Sequence, residues 1–298
     1  MKKMILNVDT GIDDAVAIIF SLFSPNINPV AIITSNGNMG VRQITKNTLS
    51  VLEFVKKEVP VFKGTTKNFS KKRLKLSGIH GKNGIGGFKF QSPKQKAQKL
   101  NKFPKFLEGI KEKVTIVSTA PLSNIAYLLQ RYPEIKSKID KIVIQSGLLS
   151  DENYSSFNVA VDPVSAGIVL SSGIKIIICP SDMGHMAFLD KQDVRKIQSY
   201  GQVGKMLEFI FRSYKDRAVK NNVATHDSCA VLYVQDKTLF TTKNVFVSVK
   251  KSTSGFGVLN FDFKRKPNAE VCTEIDIKAF KNLLFEAVEK ADKNRELF

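Results

Sequence analysis

The stretch Asn7-Val8-Asp9-Thr10-Gly11-Ile12-Asp13-Asp14 places three carboxylates within six positions. It lies where a short apolar run gives way to helical spacing. Carboxylates this close repel one another, and such a crowd calls for a cation. An oxygen-only donor set suits calcium or magnesium and suits zinc poorly. Asp13 and Asp14 also have a plainer reading, because acidic side chains in a first helical turn complement the helix dipole. A further carboxylate, Asp227, stands in Thr225-His226-Asp227-Ser228, just ahead of an apolar stretch over 229–234. It either converges on the same ion or caps that helix.

These residues need a scaffold, and the apolar pattern describes one. Strand-like runs cover residues 4–8, 30–34, 114–118, 142–145 and 174–179. Helical spacing covers 12–23, 41–57, 122–131 and 163–171. This alternation predicts an α/β fold: a single domain over 1–298, with a mostly parallel central sheet flanked by helices and a Rossmann-like core. In such sheets ligands bind at the carboxyl ends of the strands, which is where the acidic turn falls. Residues 65–105 are rich in Lys, Gly and Asn and weakly periodic, the mark of a functional or mobile insertion. After 240, strand-like runs at 245–249 and 271–275 precede a final helix over 277–290.

A hydrophobic content of 43% over 298 residues is enough for a large core. No run of about 18 apolar residues occurs, so no transmembrane helix is expected. Asn7 and Asp9 interrupt any signal-peptide core, which predicts a cytoplasmic protein. The three cysteines, Cys179, Cys229 and Cys272, are distant in sequence and form no CxxC pair, so buried free thiols are expected. The net charge of +19 raises the question of nucleic acid. The lysines are scattered, and the runs Lys71-Lys72-Arg73 and Lys94-Gln95-Lys96 lack interleaved aromatics, so a solvated basic surface is expected instead.

Seven short motifs, in order along nearly the whole chain, resemble those of the inosine–uridine-preferring nucleoside hydrolases. The acidic turn resembles Asp-x-Asp-Pro-Gly-x-Asp-Asp, and Ser35-Asn36-Gly37-Asn38 resembles the family's Gly-Asn turn. Residues 79–87, Ile-His-Gly-Lys-Asn-Gly-Ile-Gly-Gly, resemble its His-Gly-x-x-Gly-Leu-Gly loop. Residues 120–126, Ala-Pro-Leu-Ser-Asn-Ile-Ala, resemble Gly-Pro-Leu-Thr-Asn-Ile-Ala. Residues 157–163, Phe-Asn-Val-Ala-Val-Asp-Pro, resemble Phe-Asn-x-x-x-Asp-Pro. Residues 181–185, Ser-Asp-Met-Gly-His, resemble Leu-Asp-Val-Thr-His, and His226-Asp227 matches a late His-Asp. All three histidines of the chain fall inside these motifs.

The resemblance implies hydrolysis of the N-glycosidic bond of a ribonucleoside to ribose and free base, in a homodimer or homotetramer. It implies calcium held by Asp9, Asp14, the Thr119 carbonyl and Asp227, with Asp9 as general base toward the attacking water. It assigns the ribose hydroxyls to Asp13, Asn38 and Asn158, with Asn153 as a further contact. His226 becomes the acid that protonates the leaving base, and His80 lines the base pocket. His185 supports from behind. Purine-specific members use aromatic stacking that often includes Trp. This chain has no Trp, and His80 with His226 suits a pyrimidine-leaning or unselective enzyme. Tyr214 and Phe211 are candidates for the pocket wall or for the core.

Four positions depart from the pattern. Asn7 replaces the first carboxylate, Thr10 a proline, and Ala120 a glycine. Ser156 replaces a glutamate that in the family holds the ribose 5′-hydroxyl. The last substitution motivates an alternative: a member that binds calcium and ribose but hydrolyses weakly or with altered selectivity. A phosphatase of the haloacid dehalogenase type also opens on Asp-x-Asp, but its nucleophile would fall on Asn7, and an amide forms no acyl phosphate.

Overall fold

The computed structural model describes residues 1–66, 69–70, 78–214, 222–251 and 257–297. The basic run at 71–73 lies outside them. In chain order the elements are β1 (Lys2–Val8), α1 (Ile12–Phe23), β2 (Ile27–Thr34), α2 (Val41–Phe54), β3 (Val61–Lys63), β4 (Gln98–Lys99), α3 (Phe103–Glu108), β5 (Val114–Ser118), α4 (Ser123–Arg131) and β6 (Ile139–Gln145). They continue with α5 (Phe157–Val161), α6 (Pro163–Leu170), β7 (Lys175–Cys179), α7 (Ser181–Met186), α8 (Lys191–Gln198), α9 (Gly201–Arg212), α10 (His226–Gln235), β8 (Phe240–Lys251), β9 (Gly257–Asp262), β10 (Ala269–Ile275) and α11 (Ile277–Glu296).

Among the described residues, ten strands form one sheet in the order β4-β3-β2-β1-β5-β6-β7-β10-β8-β9. Seven of the nine pairings are parallel; β10 with β8 and β8 with β9 are antiparallel. The expected α/β architecture is thus present. Period-two alternation sorts side chains onto two cores. Met4, Leu6 and Val8 of β1 face one core with α1, α10 and α11, while Ile5 faces the other with α4 and α6.

Most predicted elements recur with shifted ends. Helix α2 stops at Phe54 rather than 57, and Lys56 turns out with a φ of 56°. The run at 245–249 extends to the twelve residues of β8, whose far end makes a hairpin with β9. Helix α8 lacked a sequence expectation. Within 65–105, β4 pairs parallel with β3. The three cysteines are free and buried. Burial, with Cys272 beside it, pushes the Cys179 thiol well up. No helix among the described residues is long and apolar enough to cross a membrane.

Candidate active site

β1 ends at Val8, and the chain turns through Asp9 and Thr10 into α1. Gly11 caps that helix, and Asp14 closes the cap by accepting the Gly11 N–H at 2.8 Å. The capping reading therefore holds for one oxygen of Asp14. Its other oxygen accepts the Thr119 hydroxyl at 2.7 Å, which joins the end of β5 to the acidic turn. Asp9 accepts the Asn38 N–H at 2.7 Å, and Asn38 returns a bond from its carboxamide to the Asp9 carbonyl at 3.2 Å. This close approach requires Gly37, because a Cβ there would lie 2.0 Å from Asp9 Oδ2.

Asp227 enters from the first turn of α10. One carboxylate oxygen from each of Asp13, Asp14 and Asp227 lies within 4.8 Å of the others. Asp9 stands beside this group. Burial, and then Asp14, push its carboxyl well above the usual range. Burial and then Asp13 do the same to Asp227 and raise Asp14 to about 7. Buried acids that repel one another and offer only oxygen fit a hard divalent cation.

These groups line a cavity of about 160 Å³ with Asn38, His80, Thr119, Asn158 and His226. The structure thus brings together every predicted site residue but Asn153. That residue is exposed in a turn where its own N–H bonds Asp151 Oδ1 at 2.9 Å, and it is not among the lining residues. The shortened segment before Ser156 thus leaves the position that the resemblance assigned to ribose outside the cavity lining. Tyr154, Ser156, Phe157, Gln145 and Ser181 line that side instead. Ser156 is buried and its hydroxyl pairs with that of Ser146.

His80 Nδ1 accepts the Ile12 N–H at 3.1 Å, satisfying an orphan donor of α1 and leaving the neutral ring's proton on Nε2. Tyr214 also lines the cavity. Its hydroxyl reaches Asp13 Oδ2 at 3.4 Å, and its ring lies 5.6 Å from that of His80. Phe211 packs in the core. His226 meets the edge of His185 at 5.0 Å, and it fits closely over Gly184, where a Cβ would lie 2.3 Å from His226 Nδ1. Asn158 donates to the Thr119 carbonyl at 2.8 Å.

The departures fit locally. The Asn7 amide donates to Ser118 Oγ and accepts from Ser35 Oγ, both at 2.9 Å, using a donor that a carboxylate lacks. The Thr10 hydroxyl pairs with Thr48 at 2.7 Å. Ala120 keeps an ordinary negative φ, since Lys56 is the only non-glycine with positive φ among the described residues. Two further acids went without a role in the sequence. Asp182 accepts the N–H groups of Leu149 and Ser150 at 2.7 and 3.2 Å, and Asp162 binds several distant segments. Both lie inside motifs, but their partners are invisible in the local sequence.

Fold and site together define an α/β protein with a buried, carboxylate-rich cavity at the carboxyl ends of parallel strands. Residues 4–282 match the profile of the inosine-uridine preferring nucleoside hydrolases, and the chain belongs to that family. It is therefore an N-ribosyl hydrolase acting on small ribonucleosides. It is 32% identical to the non-specific ribonucleoside hydrolase RihC of Escherichia fergusonii over 297 residues, covering 96% of this chain and 98% of that one. A purine-preferring ribonucleoside hydrolase from Gardnerella vaginalis superposes with a TM-score of 0.89 at 27% identity, covering 98% of this chain and 99% of that one. An inosine-guanosine nucleoside hydrolase shares the fold, with a TM-score of 0.88 at 22% identity over 97% of this chain and 99% of that one.

Proposed function

We propose that this enzyme is a calcium-dependent ribonucleoside hydrolase, unselective or pyrimidine-leaning, working as one catalytic domain in a cytoplasmic homodimer or homotetramer. The observation that carries this reading is the convergence of Asp9, Asp13, Asp14 and Asp227 from two distant parts of the chain on one buried cavity. Asp9, Asp14, the Thr119 carbonyl and Asp227 would hold the ion. Calcium supplies charge neutralisation and Lewis acidity toward oxygen ligands. Asp9 accepts the proton of the attacking water.

The sugar develops oxocarbenium character as the bond to the base breaks, and the surrounding carboxylates stabilise positive charge. Asp13, Asn38 and Asn158 bind ribose hydroxyls. His226 donates a proton to the departing base, and His80 directs Nε2–H toward the base side, next to Tyr214. His80, Tyr154, Phe157, Tyr214 and His226 supply the cavity's aromatic lining, with no Trp among them, and the similarity to a non-specific hydrolase supports broad use of bases. The purine-preferring neighbour marks the competing outcome.

A second reading concerns the sugar's 5′ end. Ser156 is short, neutral and engaged with Ser146, which favours weakened recognition of a 5′-hydroxyl. The deciding experiment is a panel of purine and pyrimidine nucleosides, assayed after chelation and after adding back calcium. Turnover that is lost on chelation, restored by calcium and similar across bases is expected. Full turnover in excess chelator after dialysis rules out the metal role.

A further inference from the structure

Asp162 is fully buried and is not among the residues lining the cavity. Its two oxygens accept five hydrogen bonds from the described residues. Two are local: the N–H and hydroxyl of Ser165, at 3.3 and 2.6 Å, cap α6. Helix capping accounts for these and for no others. The remaining three come from far along the chain. Ser123 Oγ donates at 2.6 Å, and the Phe69 and Ser70 N–H groups donate at 2.8 and 3.0 Å.

Ser123 opens α4, four residues after Thr119. Asn158 lies on α5, four residues before Asp162. The same two segments are already bridged at the cavity, where Asn158 donates to the Thr119 carbonyl at 2.8 Å. The Ser123–Asp162 contact is a second bridge, set one layer behind the first. With both bridges in place the Thr119 turn and the Asn158 helix have little freedom to slide relative to each other. Oriented groups lose efficiency when displaced by even an ångström.

We infer that Asp162 is a positioning residue, which clasps Ser123 so that the Asn158 carboxamide keeps its placement against the Thr119 turn and toward the substrate. This inference rests on the proposed assignment of Asn158 to ribose. The clasp acts through Asn158, so its loss should weaken substrate binding and leave the chemical step nearly unchanged.

The test uses calcium-loaded full-length enzyme. Ser123→Ala removes the clasp while leaving the α6 cap whole, and Ser165→Ala removes part of the cap while leaving the clasp. Ser123→Ala should raise KM about tenfold, the scale of one lost charge-assisted hydrogen bond, with kcat within about twofold. Ser165→Ala should leave KM at the parental value. Ser123→Thr, which keeps the hydroxyl and matches the family pattern, should restore it. In an Asn158→Ala background, Ser123→Ala should add no further change. Parental KM in Ser123→Ala, or an equal clasp effect in both backgrounds, overturns the inference and leaves the site assignment standing. Parental KM in Asn158→Ala alone overturns that assignment, and the inference with it.

Discussion

Asp162 and the group Asp9, Asp14 and Asp227 are all buried, yet their surroundings differ in kind. Among the described residues, five donors from three segments wrap Asp162. Asp9 and Asp14 also accept donors, from Asn38, Gly11 and Thr119, yet burial and the repulsion of neighbouring carboxylates outweigh them and push Asp9, Asp14 and Asp227 upward. A buried acid whose lone pairs are met by donors stabilises the fold. Acids left facing one another destabilise the metal-free fold and keep oxygens available for a cation. Here the two uses of one residue type are separated by location. The turn after β1, the start of α1 and the first turn of α10 carry the mutually repelling set, and the α5–α6 junction carries the satisfied one.

Substitution should split the two sets most sharply. Asp227→Asn should lower turnover by about a thousandfold or more, while raising the melting temperature of the protein in chelator. Asp162→Ala should do the reverse to stability, costing about 3 kcal/mol or more by orphaning buried donors. Calorimetry in chelator and steady-state kinetics in calcium measure both. If both variants melt below the parent by similar amounts, the contrast fails.

Acidity gives the next largest effect. The site carboxyls bind protons more tightly folded than unfolded. The metal-free fold should therefore lose stability as pH rises from about 4 through about 7, the upper figure being that of Asp14. Calcium displaces those protons. Its affinity, measured by titration calorimetry, should rise with pH over this window. The melting-temperature gain from calcium should be greater at about pH 8 than at about pH 5.5. A calcium affinity flat across that range would mean that the crowded acids do not bind the ion.

The packing around His226 offers a milder probe. Gly184→Ala puts a methyl where the His226 ring now lies. Together with His226→Ala, it should cut kcat on nucleosides by about a hundredfold and affect an aryl riboside with a good leaving group much less. Equal losses on both substrates would mark His226 as structural. The smallest effect is expected at Ser156. The parent should discriminate weakly between a nucleoside and its 5′-deoxy form, and Ser156→Glu should widen the ratio of kcat/KM by about tenfold. A parental preference above about a hundredfold would show that another group already holds the 5′-hydroxyl.

What could be read from the sequence was local. The acidic turn is legible because Asp9, Asp13 and Asp14 share one turn, and their repulsion is a property of spacing alone. The parallel sheet is legible because short apolar runs and helically spaced stretches alternate from residue 4 to residue 179. The order of strands is a matter of long-range pairing. Nothing local announces that β10 inserts between β7 and β8, or that β8 and β9 run antiparallel. Asn153 shows the limit of resemblance: the family's pattern implied a ribose contact there, but the residue is exposed in a turn closed by its N–H to Asp151 and does not line the cavity. Asp162 shows the converse. Its partners lie 39, 92 and 93 positions away as well as three residues on, so only the folded chain brings its donors to it. Residue types and short spacing set the chemistry this protein can attempt. Tertiary contacts decided which carboxylates face a cation and which hold the fold, because burial and hydrogen-bond partners are properties of the packed chain.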